Sequence, residues 1–145
     1  MGKINLTRVL IAGLLTGLVI NIGESVLNIW IIGDQWKTVM DKYGLVESPG
    51  TLVWYFIWGF LTGIVTIWLY AAIRPRFGPG FKTAIIAGET VWVIMWFLGT
   101  LGFGISGMLP MDLVFITLIW GLVELAIAAP AGAWLYKEED TAPGT

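Results

Sequence analysis

The sequence contains no cysteine and no histidine. Disulfides, thiolate chemistry and iron–sulfur ligation are therefore excluded. The commonest ligands for zinc and haem are missing, as is the usual proton shuttle near neutral pH. Charge is also scarce: 12% of the residues are charged, against about 25% in an ordinary soluble domain. No basic run or stripe offers itself to nucleic acid. There is no P-loop, GxSxG elbow, HExxH pair or dinucleotide-binding fingerprint. The polar connections are too short to house an active site. We expect no enzymatic activity, no cofactor and no metal site.

What the chain has instead is apolar length. Of its 145 residues, 57% are hydrophobic, and the mean hydropathy is +0.84. So little polar surface cannot cover a soluble globule, which makes lipid the bulk solvent. Four apolar runs stand out, at about residues 9–32, 51–73, 83–103 and 111–135. Each is long enough to cross a hydrocarbon core of about 30 Å at about 1.5 Å per residue. Lipid offers the backbone no hydrogen bonds, and the runs lack the alternation of a barrel strand. The expected fold is all-α: one domain over residues 1–136, a polytopic membrane protein forming a four-transmembrane-helix bundle. Residues 137–145 then form a short acidic cytoplasmic tail. The first run is too long for an ordinary signal-peptide core and reads as a retained helix.

The basic residues set an orientation. With the N-terminus inside, Lys3, Arg8, Arg74, Arg76, Lys82 and Lys137 are cytoplasmic, and only Lys37 and Lys42 lie outside. Both termini are expected to be cytoplasmic. In the outer connection 33–50, Trp36, Val39, Met40 and Tyr43 fall at helical spacing and Asp34 is placed to cap them. That pattern reads either as a short amphipathic helix in the interface or as a polar loop with a few apolar residues. The turn from Arg74 through Pro75 and Pro79 to Gly80 is expected to stop the second and third helices.

Three glutamates lie inside apolar runs: Glu24, Glu89 and Glu124. At membrane depth an acid must be protonated, paired, hydrated or turned into the bundle. Helix direction places Glu24 roughly 6 Å outward of its midpoint, Glu124 near its centre, and Glu89 roughly 5 Å to the cytoplasmic side. Such a series suits a proton path, but three unrelated polar contacts produce it too and are the favoured reading. Asn21, Glu24 and Asn28 form a stripe along one helical face, either a hydrated groove or a set of interhelical hydrogen bonds. Glu89 shares its face with Trp92 and Trp96, which either flank a cation or donate their indole N–H groups to the acid. Glu124 shares its face with Gly121 and Ala128, small residues that mark a close helix contact. Pro130 is expected to bend the helix just beyond it.

Two glycine pairs, Gly13/Gly17 and Gly59/Gly63, form GxxxG patterns that permit close helix approach. Of the nine tryptophans, Trp30, Trp36, Trp54, Trp58 and Trp134 read as interfacial belts. Trp68, Trp92, Trp96 and Trp120 lie deeper, as packing or partner contacts.

The stretches from Thr7 to Gly13 and from Asn21 to Glu24, with Leu69 through Gly80, resemble a group of small bacterial four-helix membrane proteins to which no activity is attached. The likeness covers most of the chain and implies a bacterial inner membrane. A looser analogy is to the small multidrug resistance transporters, which also have four helices and an essential membrane glutamate in the first. Glu24 is similar to that residue but lies later in its helix. The surrounding motif is not matched, and the loop charges are more biased.

Two functional readings follow. The leading one is a non-catalytic accessory or structural subunit of a larger bacterial inner-membrane complex, in contact with lipid and with a protein partner or a second copy. The other is a small proton-coupled transporter or channel that uses its glutamates and acts as an oligomer. A pigment- or lipid-binding role ranks behind both, since no histidine is present to ligate a pigment.

Overall fold

The computed structural model describes residues 3–138. Asn5 starts the first helix by accepting the backbone N–H of Arg8 on its side-chain oxygen at 3.0 Å, a standard way to satisfy an orphan amide. That helix, α1, runs over Leu6–Ile31. Gly33–Tyr43 form the short helix α2. Ser48 caps α3, Pro49–Phe77, with the proline in the first turn, where its missing N–H costs nothing. Next come α4, Phe81–Ile105, and α5, Met111–Leu135. All of these except α2 are long and apolar enough to cross a membrane. No strand occurs among the described residues. The protein is a multi-pass, all-helical bundle.

The helix ends differ from expectation in instructive ways. α3 does not stop before Pro75 but runs on to Phe77. Losing one amide so near a helix end removes a single bond, and the Gly78 N–H closes the helix on the Arg74 carbonyl at 2.9 Å. The turn falls at Gly78 and Gly80, with φ of 84° and 118°, values that glycine adopts without a steric cost. α4 passes through Gly102 to Ile105, because Gly104 lets α5 approach at Val114 and Met111. Helix α5 is continuous through Pro130. In α2, Asp34 sits inside the first turn and Ile32 occupies the cap position, with no side-chain cap bond. The α2 face with buried Val39 and half-buried Trp36 packs on Leu27, Ile32 and Leu113, so this helix is part of the bundle. Residues 139–145 of the expected acidic tail lie outside the described residues.

The long helices form a ring in the order α1, α3, α4, α5 and back to α1. Its tightest seam is α1 on α3, where Gly13 and Gly17 meet Gly63 backbone to backbone. Thr16, Gly132 and Ala12 join α1 to α5, and Gly88 lies against the Leu125 carbonyl of α5. At one end of the ring a clasp ties the chain together. The Tyr136 hydroxyl accepts the Asn5 N–H at 3.3 Å, its ring meets Tyr70 edge-on, and Glu138 pairs with Arg74 at 3.4 Å. At the other end, Tyr43 in α2 donates to the Met108 carbonyl at 3.0 Å. The outward surface is apolar and aromatic, with Leu52, Trp54, Tyr55, Ile119 and Ile127 among its exposed residues, as lipid contact requires.

Candidate functional site

Two of the three membrane glutamates meet. Glu24 on α1 and Glu124 on α5 bring their carboxyls into direct interaction across the α1–α5 seam. The space that makes this possible is Gly23, where a Cβ would collide with the Glu124 carboxyl. Glu124 is 5% exposed, and neither of its oxygens has a hydrogen-bond partner. The Trp120 indole, one turn away on α5, approaches it.

The surroundings of Glu24 are better supplied with donors. Asn28 donates its side-chain N–H to Glu24 Oε2 at 2.7 Å and to the Glu24 backbone carbonyl at 2.8 Å. The Trp96 indole donates to Glu24 Oε1 at 3.2 Å. Both donors sit in π-helical turns. Val26–Ile31 at the end of α1 holds Asn28, and Val93–Phe97 in the middle of α4 holds Trp96. A π turn carries one residue more than an α turn and recurs at functional sites in helices. Here each of the two turns presents a donor to the same carboxyl.

The remaining candidates are placed as follows. Asn21 belongs to the α1–α3 seam, where it donates to the Phe56 carbonyl at 3.1 Å and lies over Gly59. Of the polar stripe, Glu24 and Asn28 therefore share one site and Asn21 serves another. Glu89 is half-buried and joins neither acid; its Oε2 is buried without a partner. The indoles expected beside it are used elsewhere, Trp96 on Glu24 and Trp92 on the Leu118 carbonyl at 3.1 Å. Trp92 precedes the π turn and Trp96 lies within it, so the turn alters the register of Trp96 alone. A Cβ on Gly121 would lie 3.2 Å from the indole edges of Trp92 and Trp96, and Ala128 is buried with Ile20 and Leu125. That α5 face is occupied by the chain's own helices. Gly13, Gly17, Gly59 and Gly63 all lie in the α1–α3 seam.

Sequence reasoning missed Gly23, the pairing of Trp96 with Glu24, and the approach of Trp120 to Glu124. Gly23 belongs to no GxxxG pattern. The Ile22-Gly23-Glu24 step, a small residue beside a membrane acid, was its one available signal.

Among the described residues the single ion pair is Arg74–Glu138, so no basic side chain neutralises the acids. Two like-charged carboxyls in contact inside an apolar bundle repel, and a shared proton removes that repulsion. Both Glu24 oxygens already accept a hydrogen bond, which leaves Glu124 to supply the hydroxyl. Chemically the arrangement is a site that can take up and release a proton. No protein-family model, curated protein or solved structure matches this chain.

Proposed function

We propose that the protein is a small proton-coupled membrane transport protein whose proton site is the Glu24–Glu124 pair. The observation that carries this reading is Glu124: a buried acid set against a second acid, with neither oxygen in a well-formed hydrogen bond and only the Glu24 carboxyl and the Trp120 indole close to it. A carboxyl kept only to join helices would be fully hydrogen-bonded, as buried polar groups generally are. The analogy to small multidrug resistance transporters, with their glutamate in the first helix, points the same way. The test is reconstitution in vesicles bearing an imposed pH gradient, challenged with organic cations, anions and neutral metabolites. A solute that collapses the gradient through the wild type, and not through Glu124→Gln, supports the reading. A gradient that behaves alike in both overturns it.

A second reading, an accessory subunit, has its own observation. Only 22% of the apolar window of α4 is enclosed by the bundle, against 39–44% for the other spans. A partner subunit or a second copy over α4 fits that surface. Gentle extraction from native membrane followed by native mass analysis separates the two. Fixed stoichiometry with larger subunits favours the accessory role, and a homo-oligomer favours transport.

We place both termini in the cytoplasm of a bacterial cell, in its inner membrane. The bias of basic residues supports the orientation, and the likeness to small bacterial membrane proteins supports the location. An impermeant amine reagent applied to intact cells should then modify Lys37 and Lys42 and spare Lys82.

A further inference from the structure

Beyond the acid pair, the buried polar atoms without hydrogen-bond partners are not scattered. Thr117 Oγ1, Trp120 Nε1 and both oxygens of Glu124 are among them. These residues follow each other on α5 at steps of three and four, so they share one face. From Glu124 to Thr117 that face runs about 10 Å along the helix, toward the end of the bundle that carries α2. The row then resumes on α2 itself, where Gln35 Oε1 and Trp36 Nε1 are also buried and unpartnered. Trp36 and Trp120 pack on the same cluster around Leu113 and Leu27, so the two parts of the row are neighbours. The other end of the bundle, closed by the Tyr70–Tyr136 clasp, has no comparable row among the described residues: its unpartnered buried polar atoms are a nitrogen of the Arg74 guanidinium, which pairs with Glu138, and the lone Glu89 Oε2.

Unpartnered polar atoms in a folded interior are the usual binding places of ordered water, which needs two to four polar neighbours. We infer that Thr117, Trp120, Trp36 and Gln35 bind a file of water molecules connecting the Glu24–Glu124 pair to the aqueous face beneath α2. This rests on the proton-site reading and deepens it: the pair exchanges protons with the α2 face, and α2 covers the entrance.

The natural absence of cysteine gives a clean test. Thr117→Cys is nearly isosteric and removes no hydrogen bond. It is compared with Ile119→Cys, two residues along but exposed on the lipid side. A small, charged, impermeant thiol reagent is applied to sealed vesicles from each side in turn. The thiolate is the nucleophile and forms only where water reaches, so Thr117→Cys should react about tenfold or more faster than Ile119→Cys, and from the α2 face alone. In parallel, the infrared band of the protonated carboxyl in the unmodified protein should shift within the mixing time on transfer to heavy water. An unreactive Thr117→Cys thiol together with a slowly exchanging band overturns the water file, as does reaction from the opposite face. The proton-site reading stands or falls separately, on whether that band exists in the wild type and is lost in Glu124→Gln.

Discussion

A Gly63→Leu protein is expected to lose its folded bundle. At the α1–α3 seam the two backbones are in contact: a Cβ on Gly63 would meet the backbone of Gly13 and Gly17. A backbone atom cannot swing aside as a side chain can, so α1 must move away bodily. That motion also strips Asn21 from the Phe56 carbonyl and separates Thr16 from its place beside Gly132. Overpacking of a tight core costs about 1–3 kcal/mol where side chains absorb it. Here none can, and a loss of at least about 3 kcal/mol is expected. Thermal unfolding in mild detergent measures it. Gly99→Leu is the control, since nothing lies within 4 Å of a Cβ there; equal melting of the two proteins would show that the seam is looser than described.

Glu24→Gln and Glu124→Gln are expected to fail differently. Glu24 receives N–H donors on both oxygens. Glutamine keeps one acceptor and turns an NH2 group toward the other donor, leaving two donors face to face. The expected cost is about 1–3 kcal/mol, that of leaving a buried polar group unsatisfied. Glu124 has no such donors to lose, and an amide there can itself donate to Glu24. The Glu124→Gln protein should therefore fold with near wild-type stability and yet lose the infrared band of the protonated carboxyl. Melting curves and infrared spectra of the two variants decide this. Retention of the band in Glu124→Gln would place the proton elsewhere, with Glu89 the next acid to replace.

Much of the fold could be read from residue order because lipid leaves the backbone few choices. Four apolar runs must be helices, and their lengths follow from the membrane. The spacing of Trp36, Val39 and Met40 admits either a helix or a polar loop, and the structure has the helix. The ends were read less well. The prolines and glycines of the 74–80 turn read as stops, yet Pro75 lies inside α3, which runs on to Phe77. The site was legible only as a list of acids. Depth estimates along separate helices placed Glu24 and Glu124 several ångströms apart. They took no account of a carboxyl reaching over Gly23. The two π turns, which hold Asn28 and Trp96, have no signature in composition. A regular helical wheel therefore assigned Trp96 to Glu89.

Those turns have a mechanical consequence. Each stores one residue of slack, one in the middle of α4 and one at the C-terminal end of α1. α4 is anchored by the glycine turn at Gly78–Gly80 and by Gly104 against α5, and α1 begins at the Asn5 clasp. If the slack travels by one peptide along α4, the middle rotates while both ends stay in place. Trp96 would be swung off Glu24, like a cam on a shaft between fixed bearings, and no loop need open for the acid pair to change its company.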